Sequence, residues 1–191
     1  MRKIFMTAMG LMVLSGCGTT GDEVLRTNRE LKYKNILVMP FTQKESEQAN
    51  APLAQGNFIN ELSLFPDIQI VGRGQMDETT IKNLGVTHPD SFGSLDFSTS
   101  PEGDERRKKV LESFQVDVIV FGSNYIDQGL DSLIIQMMDA TNGAIILSFV
   151  KDSSIPGGLT DEVTADIARK AAQKVTDFLK ENVVITRFHR R

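Results

Sequence analysis

Apolar residues between positions 35 and 188 fall into two rhythms, short continuous or alternating runs and longer three-to-four-residue repeats, and the two predict strands and helices in turn. The run "NILVMPF" at 35–41 is continuous, ends at a proline and is too short for a helix, which is the pattern of a buried central strand. "TQKESEQAN" at 42–50 reads as a loop. Pro52 then stands near the first turn of a helix on which Leu53, Phe58, Leu62 and Phe65 recur, with Pro66 as its end. "DIQIVGR" at 67–73 alternates like a strand. Met76, Ile81 and Leu84 space a short helix, and 87–104, rich in Ser, Pro, Gly and Asp, reads as a long loop or insertion.

The second half is more regular. Val110, Leu111 and Phe114 mark one side of a helix that begins at residue 105. "DVIVFGSNYI" at 117–126 is the strongest strand signal, and 132–150 holds two more strands about Asn142-Gly143, a pair that supplies the positive φ angles of a tight hairpin. These three strands are expected to form an antiparallel meander. Thr160 is placed to cap a helix with acids in its first turn and an apolar stripe through Val163, Ile167, Ala171, Val175 and Phe178. The tail "VVITRFHRR" reads as an edge strand or a basic disordered end. The predicted order is β-α-β-α-α-β-β-β-α. Helix-linked early strands and turn-linked later ones give an α/β (α+β) fold, a mixed sheet flanked by helices.

The amino terminus follows a different rule. Arg2 and Lys3 precede an apolar run at 4–14, the length of an export-signal core and shorter than the ~20 residues of a membrane-spanning helix. "LSGC" at 14–17 resembles the lipobox of bacterial lipoproteins. The resemblance implies cleavage between Gly16 and Cys17 and acylation of Cys17, the chain's single cysteine, with two or three acyl chains holding it stably on a bilayer. An ordinary secretory signal with an incidental cysteine is the competing reading. Gly18, where an Asp would mark retention, favours the outer membrane by resemblance to Gram-negative sorting. The expected organisation is a signal peptide at 1–16, a lipidated flexible tether at 17–34 and one globular periplasmic domain at 35–191. The ~17 tether residues reach several nanometres when extended, which keeps the domain near the membrane.

Composition narrows the function further. Loss of residues 1–16 leaves 19 Lys and Arg against 25 Asp and Glu, a net charge of −6 that argues against a nucleic-acid partner. The chain has no tryptophan and two tyrosines, a poor supply for a carbohydrate platform. The basic run Arg106 to Lys109 reads as a solvated helix face ahead of a contact for acidic lipid or a partner. No GxSxG elbow, P-loop or HExxH occurs, and "GRG" at 72–74 lacks the third glycine of a dinucleotide turn. His88 and His189 lie in the irregular loop and the tail and read as solvated residues. Asp127 and Asp139 could form an acid/base pair, but turn capping at strand ends is the preferred reading. No catalytic residue, metal or cofactor is therefore expected.

Four stretches in order resemble CsgG-like lipoproteins, the family of the curli secretion channel. They are "NILVMPF" with Pro40 and Phe41, "DIQIVGRGQM", "FQVDVIVFGSNYI" with Gly122 and Ser123, and "IIQMMDATNGAIILSF" with Asp139 and Gly143. Asn142 and Ala144 depart from the usual Thr and Glu. The resemblance implies a fold shared by an outer-membrane activator of a peptidoglycan synthase, a ring-forming exopolysaccharide-export lipoprotein and the amino-terminal domain of the Tol translocation protein. It also implies protein partners, a possible homo-oligomer and no enzymatic activity. The first expectation is an assembly or accessory subunit of an envelope secretion, export or appendage machine. The alternative is a regulator docking onto a periplasmic enzyme such as a peptidoglycan synthase. A pore is disfavoured, because the segment after Phe41 is brief and charged and 87–104 supplies at most one short hairpin.

Overall fold

The computed structural model describes residues 26–44, 50–71, 97, 99–127, 130–153 and 160–188. Its chain divides into a main unit, Arg29–Val184, and a small one formed by the two ends, Met1–Asn28 and Ile185–Arg191. Among the described residues the order is β1 (Arg26–Leu31), β2 (Asn35–Val38), β3 (Thr42–Lys44), α1 (Ala51–Leu62), β4 (Gln69–Val71), α2 (Pro101–Phe114), β5 (Val118–Asp127), β6 (Leu130–Asp139), β7 (Ile145–Asp152), α3 (Asp161–Glu181) and β8 (Val183–Phe188). The expected α/β class with a mixed sheet is observed. The sheet runs β4-β2-β5-β6-β7, with β3 on β5 beyond the end of β2, and β1 and β8 make a separate two-stranded sheet. The strands β4, β2, β3 and β5 pair in parallel, and β5, β6 and β7 form the expected antiparallel meander.

The apolar parity of the strands divides the core. Ile36, Val38, Val118, Val120, Leu133, Ile135 and Met137 face α1 and α3, whose Ala54, Phe58, Ile167, Ala168, Ala171, Ala172 and Val175 are buried against them. Four alanines among these helix residues let the two helices lie close to each other and to the sheet. The opposite parity, Leu37, Met39, Ile119 and Met138, packs with Phe97, Val110 and Val116 around α2. Burying a side chain such as Phe58 contributes roughly 2–3 kcal/mol.

Caps define the helices. Thr160 Oγ1 accepts from the Val163 amide at the start of α3, as its sequence predicts. Asn50 caps α1 by accepting from the Leu53 amide. The apolar repeat runs to Phe65, but α1 stops at Leu62 and the next amides make three-residue bonds, Leu64 to Glu61 and Phe65 to Leu62. Pro66 accounts for this, since a proline disfavours helical backbone at the residue before it.

Several boundaries differ from the sequence expectation. Residues 26–31, read as tether, form β1, while residues 183–188 form β8, in line with the edge-strand reading of the tail. A short strand of mixed polarity such as β1 carries no clean alternation, so pattern alone misses it. Thr42–Lys44, read as loop, is β3 on the edge of β5. The long irregular stretch ends at residue 100 rather than 104, because Ser100 Oγ accepts from the Gly103 amide and Pro101 opens α2. The β6–β7 connection is a wider turn than a two-residue hairpin. Asp139 N–H donates to the Ala144 carbonyl at 2.9 Å and Gly143 N–H to the Asp139 carbonyl at 2.9 Å, and of the turn residues Gly143 alone has a positive φ, +73°. The expected helix at 74–86 and the signal and lipobox residues lie outside the described residues.

Candidate functional site

The motif residues Pro40 and Phe41, in the link between β2 and β3, lie beside Gly122 and Ser123 of the adjacent β5. Half-buried Pro40 leads into Phe41, whose ring lies over Gly122 so closely that a Cβ there would stand 2.3 Å from it. The same ring meets Phe58 of α1 with centroids 5.5 Å apart, so the glycine lets β5 carry an aromatic contact to the helix layer. Ser123 Oγ is buried and has no hydrogen-bond partner among the described residues.

Asp139 and Gly143 come together in the β6–β7 turn. Asp139 accepts from the Thr141 amide at 2.9 Å and from the Tyr33 hydroxyl at 3.4 Å. A Cβ at Gly143 would lie 2.5 Å from the Arg107 guanidinium. Glycine is therefore required twice at that position, by backbone angle and by close approach. Arg107 itself is buried; its guanidinium donates to the Phe97 carbonyl at 2.6 Å and to Asp104 at 2.9 Å. This corrects the reading of 106–109 as a uniformly solvated face. Lys108 and Lys109 do reach solvent, but each pairs along the helix, with Asp104 at 2.7 Å and Glu105 at 3.0 Å. Those lysines hold the two carboxyls below the ordinary carboxylate range.

Asp127 and Asp139 do not form a pair. Asp139 stands opposite Val118 and Asp127 opposite Leu130 on the same ladder, so nine residues, about 30 Å, separate them. The polar cluster that the fold does build is a different one. Asn124 and Asp131 point to the helix-covered face near the α3 start, where the Asn124 amide donates to Asp131 Oδ1 at 2.6 Å and the Thr164 hydroxyl donates to Asp131 Oδ2. Asn124 Oδ1 accepts from the Asn50 amide at 2.8 Å, and the Asn50 side chain donates to Asp161. The cluster thus ties β5 and β6 to the caps of both helices, and the negative charge sits near the positive end of the α3 dipole. A signal for it exists in the sequence: Asn124 shares the parity of Val118 and Val120, and Asp131 that of Leu133 and Ile135. Each side-chain oxygen of Asp131 is already engaged, which marks a structural clamp. Among the described residues no three His, Cys, Asp or Glu side chains gather as a metal site.

Two surface features remain. One is a groove of about 530 Å³ lined by Glu30, Leu31, Lys34, Phe65, Asp67, Lys180 and Val183. Within it Lys34 pairs with Glu30 at 3.0 Å, and the Lys180 ammonium lies over the Phe65 ring. The other is β7, terminal in the sheet, with Ile145 and Val150 each 49% exposed. Cys17, Gly16, His88 and His189 lie outside the described residues, and no helix among the described residues is long and apolar enough to cross a membrane.

No protein-family model matches the chain, and no curated protein matches it in sequence. Similar solved structures do exist. The neisserial lipoprotein GNA1162 from Neisseria meningitidis is 14% identical, with a TM-score of 0.48, over 75% of this chain and 99% of that one. The PelC dodecamer subunit from Paraburkholderia phytofirmans is 11% identical, with a TM-score of 0.44, over 76% and 94%. The C-terminal domain of LpoB from Escherichia coli is 19% identical, with a TM-score of 0.50, over 64% of this chain and 83% of that domain, and at that similarity the chain shares its fold.

Proposed function

We propose that this chain is a non-enzymatic lipoprotein, anchored through acylated Cys17 in the inner leaflet of the outer membrane, that docks onto and regulates a periplasmic enzyme such as a peptidoglycan synthase. The observation that carries this reading is the fold held in common with the LpoB C-terminal domain. The motifs around Phe41, Gly122 and Asp139 support the same direction, because the CsgG-like resemblance they carry includes an activator of a peptidoglycan synthase. The polar clusters at Asp131 and Arg107 fit a binding protein better than an enzyme, since their groups are committed to holding helices and turns together. An assembly subunit of an export or appendage machine is the second reading; it requires self-association, where the regulator requires a different protein.

The test uses the full chain expressed in cells. Radiolabelled palmitate is expected on the wild type and absent from Cys17→Ala, with the latter released from the membrane fraction. Photo-crosslinking from exposed positions of the acylated chain is expected to yield adducts with a periplasmic synthase. Adducts solely between copies of the chain would overturn the regulator in favour of the assembly subunit, and an unlabelled wild type would overturn the anchor.

A further inference from the structure

We infer that the outer edge of β7 is a strand-addition site for an extended segment of a partner protein in which acidic and apolar residues alternate. The inference rests on the docking reading above and names the surface and the chemistry of its partner. β7 ends the sheet, and among the described residues β6 alone pairs with it. Its start is irregular: Met137 faces Leu147 and Met138 faces Ile145, so Ile146 is bulged out of the ladder. From Leu147 to Asp152 the pairing is regular. Over that stretch every second residue turns its backbone N–H and C=O to the outer edge, where an added strand would meet them.

The side chains beside that edge specify what would fit. Register places Leu147, Phe149 and Lys151 on the helix-covered face, opposite Met137, Ile135 and Leu133. There the Lys174 ammonium of α3 lies 4.4 Å from the Phe149 ring centre, and Lys151 is half-buried next to it in the alternation. Neither lysine has a carboxylate partner among the described residues, in contrast to Lys108, Lys109 and Lys170, each of which is paired along its helix. The other face of β7 shows Ser148 and the half-exposed Val150. Directly opposed side chains of adjacent strands stand ~5 Å apart and alternate between faces. An added strand would therefore set carboxylates against Lys151 and Lys174 and aliphatic groups against Val150. A second copy of β7 fits poorly, because it would bring another Lys151 and Lys174 to the same seam; an inward-turned charge on an edge strand opposes self-pairing.

The experiment uses the mature chain and three fluorescent ten-residue peptides: alternating Val-Glu, alternating Val-Lys, and Val-Glu with two central valines replaced by proline. Anisotropy is expected to show saturable binding of the Val-Glu peptide, weakened by salt, and at least tenfold weaker binding of the other two. Combined Lys151→Glu and Lys174→Glu is expected to reverse the preference toward Val-Lys; binding of that peptide also shows that the variant is folded. Absence of saturable Val-Glu binding, or a preference unchanged by the charge reversal, overturns the proposal. In cells, crosslinker at Ser148 is compared with crosslinker at Glu112 on α2. A synthase adduct from Glu112 and none from Ser148 would overturn the β7 assignment while leaving the docking reading intact.

Discussion

The cluster around Asp131 and the edge of β7 belong to the same sheet and treat charge in opposite ways. At Asp131 a buried carboxylate is surrounded by donors from β5 and α3, so its charge is satisfied within the domain. At β7 two lysines flank an aromatic ring with no carboxylate opposite them among the described residues. Internal satisfaction of polar groups stabilises one conformation, whereas charges left facing an unpaired strand edge are available to select a partner. Stability therefore resides in the helix caps and core, while the proposed recognition surface lies at the edge.

Substitutions can break that division. The largest expected effect is Phe58→Ala, which empties the centre of the helix-covered core and should cost about 3–5 kcal/mol in chemical denaturation. Asp131→Ala follows, at about 1–3 kcal/mol, because Asn124 and Thr164 lose their acceptor inside the fold. Gly122→Ala should cost about 1–3 kcal/mol by pushing on the Phe41 ring. A cycle with Phe41→Leu should recover part of that loss, and simple additivity would show that the close approach is not the cause. Val150→Thr should change stability by less than about 0.5 kcal/mol, yet weaken the Val-Glu peptide. If Asp131→Ala weakened peptide binding in the folded protein as much as Val150→Thr does, the two regions would not be separable.

The smallest effect concerns acid. Lys108 and Lys109 depress the Asp104 and Glu105 carboxyls. Their folded values lie below the unfolded ones, so this contribution is present above about pH 4 and fades as pH falls through the depressed values. Both groups are exposed, so Lys108→Met should shift the acid limb of an unfolding titration only slightly. A large shift would mean that the α2 surface matters to stability as much as the caps do.

How much of this was legible beforehand follows from local physics. Continuous apolar runs such as 36–39 and 118–121 announce central strands, and the stripe from Val163 to Val175 announces α3, because burial on one or both faces leaves a period in the sequence. β1 and β3 leave no such period, since what defines them is a neighbouring backbone. The Asn142-Gly143 pair marked the turn correctly, but Asp139 and Arg107 selected its wider geometry, and Arg107 lies 36 residues away along the chain. Gly143 was legible from its turn and Gly122 by resemblance alone; the close neighbours that also require them, a guanidinium and an aromatic ring, are visible only in three dimensions. The Asp131 clamp could have been found from strand parity, whereas the two lysines at β7, without a carboxylate partner among the described residues, depend on where α3 crosses the sheet.

The most direct test of the docking regulator is the mass of the lipid-free mature chain, measured by light scattering across a wide concentration range and repeated for the acylated form in detergent. A monomer in both states, about 20 kDa of protein for a chain of this length, is the predicted result. A closed oligomer that persists on dilution would contradict the account and make self-assembly the purpose of the exposed edge.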